Sequence, residues 1–369
     1  MNIAVPRRFA RADLKREEPT AECAADPERG RGAREPLLAV RDLVQQFSVR
    51  THGGVRRAVV HAVSGVSLDV WPGETFGIVG ETGSGKSTLA RSVLQAPRPR
   101  SGSVTFGGAD LTSLRSGSLR EARRHMQMVF QDPFESLNPK WRVADIVEEP
   151  LVAHRVGTGT GRRRRVDEVL DQVGLDPRIY GSRKPRELSG GQCQRVAIAR
   201  AVVLSPSLVI CDEAVSSLDV LIQAQVLNLF ERLRTELGLS YLFIAHDLAL
   251  VKQVSDRVAV MYLGKLCETG PAESLYGRPL HPYTRVLLDS VPRPDPNAPK
   301  RPTSLTIDGE PPSPTAPPTG CRFRTRCPRV QQLCADEEPA LRELGEDHYV
   351  ACHYPFADAG PPGQREIDE

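Results

Sequence analysis

Gly80-Glu81-Thr82-Gly83-Ser84-Gly85-Lys86-Ser87 is a complete G-x-x-x-x-G-K-[ST] loop, and very few folds can hold one. Phe76-Gly77-Ile78-Val79 ahead of it reads as a buried strand, and Thr88-Leu89-Ala90-Arg91-Ser92-Val93-Leu94 behind it reads as a helix. Strand, glycine-rich turn and helix leave backbone N–H groups free to close around phosphate oxygens, with the helix N-terminus facing the same anion. Lys86 would reach the β- and γ-phosphates, and the Ser87 hydroxyl would hold Mg²⁺. The competing reading is a chance glycine-rich turn between a strand and a helix. By itself the loop says that a nucleotide binds, and not what the nucleotide drives.

The rest of the chain supports an α/β fold. Strand-like runs at residues 75–79, 126–130, 208–211 and 241–245 alternate with helical stretches, as in a largely parallel central sheet. Residues 55–73 read as part of an antiparallel layer. The expected boundaries are a disordered tail at 1–36, a nucleotide-binding domain at 37–270, an extension at 271–355 and a second disordered tail at 356–369. Within the extension, the proline-dense residues 293–318 read as a surface linker. The chain of 369 residues has 26% charged and 40% hydrophobic residues, ordinary for a globular protein. A net charge of +3 does not argue for nucleic acid, and none is expected as a partner. No run approaches the roughly 18–20 apolar residues that span a bilayer. The basic N-terminus lacks the apolar core of a secretory signal. A cytoplasmic protein is therefore expected, with any membrane role coming through partners.

Leu208-Val209-Ile210-Cys211-Asp212-Glu213 is an apolar strand ending in two carboxylates. Asp212 is placed to hold Mg²⁺ or its waters, and Glu213 to act as general base on an attacking water. A helix N-cap followed by a first-turn acid would give the same pair. Leu188-Ser189-Gly190-Gly191-Gln192 precedes a helical run, which makes it either a simple cap or a second anion-ready N-terminus. This LSGGQ run, placed before the Asp212-Glu213 strand, resembles the signature of ATP-binding cassette (ABC) ATPases. That resemblance implies a P-loop cassette with a RecA-like parallel core, an antiparallel β layer, a helical subdomain carrying the signature, and here a small cysteine-bearing extension.

Further segments take on roles through the resemblance. Phe130-Gln131-Asp132-Pro133 is similar to the Q-loop, where Gln131 would sense Mg²⁺ and the attacking water and couple the site to a transmembrane partner. Ser217-Leu218-Asp219 resembles the D-loop, which contacts the opposite subunit. His246, in Ile244-Ala245-His246-Asp247, would hydrogen-bond the γ-phosphate, although a histidine after a strand is otherwise more often structural. Phe47 would stack on adenine, against the alternative of an ordinary core phenylalanine. The implied ATP site lies between Lys86 of one cassette and the Ser189 signature of another.

Met126 to Pro139, Ile222 to Leu229, Asp256 to Gly264 and His281-Pro282-Tyr283-Thr284 resemble the oligopeptide/dipeptide importer subfamily, which includes nickel importers, and are closer to the second of its two ATPase subunits. That implies a heterodimer with a sister cassette, two permeases and an extracytoplasmic binding protein, working at the cytoplasmic face of the membrane. Cys193 departs from the family's usual Arg, with the expectation of a weaker signature-side ATP contact. Cys321, Cys327, Cys334 and Cys352 have intervals that fit no zinc knuckle. In this subfamily they are similar to a [4Fe–4S] ligand set; zinc, with His348 or His353, and free thiols stay open. Arg162-Arg163-Arg164-Arg165 reads as a solvated helix face rather than a lipid- or nucleic-acid-binding patch. Other functions are import of nickel or another small solute, a soluble ABC ATPase acting on ribosomes or DNA, and a regulatory cassette with an impaired site. One phosphate loop and no sustained heptads weigh against the soluble class, and the intact Glu213 and His246 weigh against the impaired one.

Overall fold

The computed structural model describes residues 35–50, 57–216, 218–290 and 309–356. In chain order its strands are β1 Leu38–Arg50, β2 Arg57–Val70, β3 Thr75–Val79, β4 Ser101–Phe106, β5 Ala109–Asp110, β6 Met126–Val129, β7 Leu208–Asp212, β8 Ser240–Ile244, β9 Arg257–Tyr262, β10 Lys265–Pro271, β11 Arg342–Gly345 and β12 His348–Val350. Its helices are α1 Lys86–Val93, α2 Ser116–Arg124, α3 Pro133–Ser136, α4 Val143–Ala153, α5 Gly159–Gln172, α6 Pro177–Tyr180, α7 Gly190–Val202, α8 Val220–Leu237, α9 Leu248–Val254, α10 Ala272–Gly277, α11 Pro282–Asp289 and α12 Leu333–Asp336.

Strand composition decides which sheet each strand joins. β3, β7 and β8 are buried at every position, as strands covered on both faces must be. They form the centre of a sheet ordered β11-β12-β10-β9-β3-β8-β7-β6, in which β9, β3, β8, β7 and β6 run parallel. β1 mixes buried and exposed positions and pairs antiparallel with β2 and β4, in a second sheet ordered β2-β1-β4-β5.

The period of two along each parallel strand divides its side chains between two cores. Leu208 and Ile210 of β7 and Leu242 and Ile244 of β8 pack with Leu89 and Val93 of α1 and with Val40 and Val104 of the antiparallel layer. Val209, Cys211, Tyr241 and Phe243 face the other way, onto Val196 of α7 and Val226, Phe230 and Leu233 of α8. α1 is thereby clamped between the two sheets, which fixes the direction of the loop that starts it.

The chain beyond residue 270 joins the same frame. β12 pairs with β10 and β11 with β12, both antiparallel, so the extension lengthens the parallel sheet at its β9 edge. The expected tails and most of the proline-dense segment lie outside the described residues. Among the described residues no helix is long and apolar enough to cross a membrane.

Candidate nucleotide site

The phosphate loop runs from the end of β3 into the first turn of α1. Gly85 caps α1 with φ +106, and a Cβ there would lie 2.1 Å from the Ala62 carbonyl oxygen, so only glycine fits. Lys86 is 4% exposed, and its ammonium donates to the carbonyls of Gly80 (2.7 Å) and Glu81 (3.0 Å). Burial pulls its pKa below the ordinary range, against the pull of the Glu213, Asp212 and Glu81 carboxylates. Among the described residues no carboxylate forms an ion pair with it. A buried cation held by two carbonyls and, at 3.5 Å, the Ser84 hydroxyl, with no carboxylate against it, is a site prepared for an incoming anion. The donor set therefore fits a nucleotide phosphate.

The ends of the parallel strands bring the remaining groups to this loop, since side-by-side strands present their carboxyl ends at one edge. Asp212, at the end of β7, is buried and accepts a hydrogen bond from Ser87 Oγ at 2.7 Å. Burial pushes its carboxyl above the usual range, and the Ser87 bond opposes that shift. A hydroxyl beside a buried carboxylate is the donor set that Mg²⁺ takes in phosphoryl-transfer sites. Asp212 and Glu213 do not cap the following helix; Asp219 caps α8, accepting from Ile222 N–H at 3.0 Å.

Glu213 takes a positive φ of 51°, with its N–H bonded to the Ile244 carbonyl at 2.9 Å. A non-glycine residue is held there only when its surroundings over-determine it. Its carboxylate accepts from Gln131 Nε2 at 2.8 Å, and His246 Nδ1 lies 3.6 Å from the same oxygen, beyond hydrogen-bond length. Gln131 follows β6 and His246 follows β8, the two strands that flank β7. Gln131, Asp212, Glu213 and His246 line one cleft of about 1260 Å³ with Thr82, Gly83, Gly85, Lys86, Ser87 and Thr88. Gly80, Glu81 and Ser84 lie behind that surface in the loop. Phe47 is half-buried rather than a core residue, and it lines the cleft together with Val60, Ala62 and Pro314.

None of Ser189, Gly190, Gly191 and Gln192 lines this cleft. Ser189 caps α7, its hydroxyl accepting from Gln192 N–H at 3.3 Å while the Gln192 side chain accepts from Ser189 N–H at 2.9 Å. Cys193 is fully buried and its thiol donates to the Pro185 carbonyl at 3.4 Å. The substitution at this position thus falls on the inner face of α7. The expectation that it weakens an ATP contact is not supported. In the arginine run, Arg162 Nε donates to the Val156 carbonyl and Arg165 to Val203 and Ser205, while Arg163 and Arg164 are exposed. Ser217 lies outside the described residues.

The cysteine expectation needs correction. Among the described residues no group of three or more His, Cys, Asp or Glu side chains is arranged to hold a metal ion. Cys321, Cys327, Cys334 and Cys352 are free thiols, and burial pushes Cys321 up to about 11 and Cys352 up to about 12. His348 is committed to Glu268 at 2.7 Å, and His353 donates to the Glu337 carbonyl at 3.0 Å. Nothing in this arrangement supports a [4Fe–4S] or zinc site.

Two contacts escaped the sequence. Tyr283 accepts a hydrogen bond from Glu81 N–H through its hydroxyl at 2.9 Å, and Arg326 pairs with the Glu81 carboxylate at 2.9 and 3.2 Å. The His-Pro-Tyr-Thr run marked Tyr283 as notable without saying why; no motif marks Arg326.

Two family models match the chain: "ABC transporter" over residues 63–216 and "Oligopeptide/dipeptide transporter, C-terminal region" over residues 267–334. The chain is 48% identical to the oligopeptide transport ATP-binding protein AppF of Bacillus subtilis over 322 residues, covering 86% of this chain and 97% of that one. It is 46% identical to the oligopeptide transport ATP-binding protein OppF of Salmonella typhimurium over 325 residues, covering 86% and 96%. Among solved structures it resembles the dimeric post-hydrolysis ATP-binding cassette MJ0796 bound to ADP and Pi, with a TM-score of 0.57 and 27% identity over 64% of this chain and 98% of that one. Motifs, strand order and these relatives agree, and the chain belongs to the ATP-binding subunits of oligopeptide-type ABC transporters.

Proposed function

We propose that this chain binds and hydrolyses Mg-ATP in the Lys86 cleft and thereby drives a membrane importer of oligopeptides or dipeptides. The observation that carries the reading is the unpaired, buried Lys86 ammonium beside the Ser87–Asp212 and Gln131–Glu213–His246 groups. Lys86 would give up its two carbonyls for the β- and γ-phosphates, and the loop N–H groups of residues 80–88 would hold their oxygens. Bound Mg²⁺, with Ser87 and Asp212 as its protein ligands, would neutralise charge developing on the phosphates. Glu213 would take a proton from the attacking water, with Gln131 orienting that water and His246 holding the γ-phosphate. Phe47 would cover the base.

The residues that complete the site come from a second cassette. Ser189, Gly190, Gly191 and Gln192 cannot serve the cleft of their own chain, and Asp219 begins a helix whose Val220 and Leu221 are 78% and 77% exposed. That surface suits a facing cassette, the sister ATPase of a heterodimer. Phe134 and Trp141, exposed just after Gln131, suit docking to one of two permeases from the cytoplasmic side, with a binding protein delivering substrate on the other. Residues 37–270 form the cassette and 271–355 its extension, between tails at 1–36 and 356–369.

Replacing Glu213 with Gln keeps the hydrogen bond from Gln131 and removes the base. ATP turnover by the assembled complex is expected to fall at least about 100-fold while Mg-ATP still binds. Turnover that survives the change would show that Glu213 is not the base.

A further inference from the structure

We propose that the extension is a built-in brace of the phosphate loop, and that Arg326 and Tyr283 are positioning residues for nucleotide binding. Glu81 is the loop residue they hold. Its carbonyl accepts from Lys86, its N–H donates to the Tyr283 hydroxyl, and its carboxylate takes both terminal nitrogens of Arg326. Arg326 is 10% and Glu81 27% exposed, so the pair is shielded in a way surface ion pairs are not. Arg326 also donates to the Tyr262 hydroxyl at 3.3 Å. Tyr262, Tyr283 and Phe323 pack edge-on or tilted with centroids 4.7–5.3 Å apart, tying β9 of the cassette to α11 and the Phe323 segment of the extension. The extension reaches the cleft a second time at Pro314, whose carbonyl accepts from His61 N–H at 2.9 Å and which lines the cleft together with Phe47.

Two physical effects follow. When Lys86 transfers to phosphate, Glu81 loses its carbonyl bond, and Tyr283 and Arg326 are left to keep the loop open in its binding shape. Arg326 also neutralises a carboxylate in a loop that must accept a polyanion.

The inference rests on the nucleotide reading of the Lys86 cleft, and the experiment separates the two. Mg-ATP is titrated into the full chain by calorimetry, and ATPase is measured in the assembled complex. Arg326→Gln is expected to weaken Mg-ATP binding about ten-fold, raising KM with kcat kept. Adding Glu81→Gln to that background should cost nothing further, because the brace is already broken, and should recover only the part of the loss due to the unpaired carboxylate. Arg326→Lys, which keeps the charge and loses the fork, should fall between wild type and Arg326→Gln, and it carries the test if the Gln variant does not fold. Wild-type affinity in the Arg326 variants, or losses that simply add in the double variant, would overturn the brace. Failure of the unaltered chain to bind Mg-ATP, with Lys86→Ala no different, would instead overturn the nucleotide reading.

Discussion

His281 shows at the scale of one residue what the His-Pro-Tyr-Thr run is for. Its Nδ1 accepts the Tyr283 N–H at 3.0 Å, capping the helix that carries the brace, and its own N–H and that of Leu280 donate to buried Glu268. Burial depresses the imidazole from 6.5 to about 4, with the Glu268 charge pulling the other way. The folded-state pKa lies below the unfolded one, so between these values the unfolded chain binds the extra proton. Stability is then present above about pH 6.5 and lost as pH falls toward 4, by on the order of 3 kcal/mol. His281→Asn keeps a capping acceptor and removes the titration. Denaturant midpoints from pH 7 to 4 should flatten in that variant relative to the parent, and an unchanged acid slope would assign the loss to another group. The sequence marked Lys86, Asp212, Glu213 and His246 because each sits in a short local motif. It could not mark Arg326, which meets Glu81 across 245 residues, since a long-range ion pair leaves no local pattern.

At the scale of elements, adjacent glycines of the signature separate packing from function. A Cβ on Gly191 would lie 2.6 Å from Ile222 Cγ2, so Gly191 is required by the contact between α7 and α8. A Cβ on Gly190 would meet nothing closer than 3.6 Å, so packing leaves that glycine free and only an approach from outside demands it. Gly191→Ala should lower stability by ~1–3 kcal/mol. Gly190→Ala should leave stability within about 0.5 kcal/mol while cutting the ATPase of the assembled complex at least about ten-fold. Thermal melts beside turnover assays check both, and equal melts with equal turnover would remove the distinction. β3, β7 and β8 were read to within a residue or so from their apolar runs, because a strand covered on both faces has no other composition available, while the largely buried β9 and β10 were not read. β11 was missed, being exposed at all of its positions. The proline-dense segment was read as a surface linker, yet Pro314 reaches the cleft, placed by a bond to β2 that no periodicity announces.

Over the whole molecule the decisive arrangement is a division. Lys86, Ser87, Gln131, Asp212, Glu213 and His246 gather in one cleft at an edge of the parallel sheet, while Ser189 to Gln192 line no part of it. The fold class was legible from the order of the motifs along the chain, whereas this division was expected only through the resemblance to ABC ATPases. The physical tie between the extension and the phosphate loop was not. The cluster expectation for the cysteines came from the subfamily resemblance, and no metal-holding group among the described residues supports it. A native mass spectrum of the Glu213→Gln chain, purified from its own cells in Mg-ATP, tests the divided site most directly. The account predicts a particle holding this chain, a second cassette and bound ATP, which falls apart when nucleotide is removed. A single chain carrying ATP, with the same mass whether or not nucleotide is present, would contradict it.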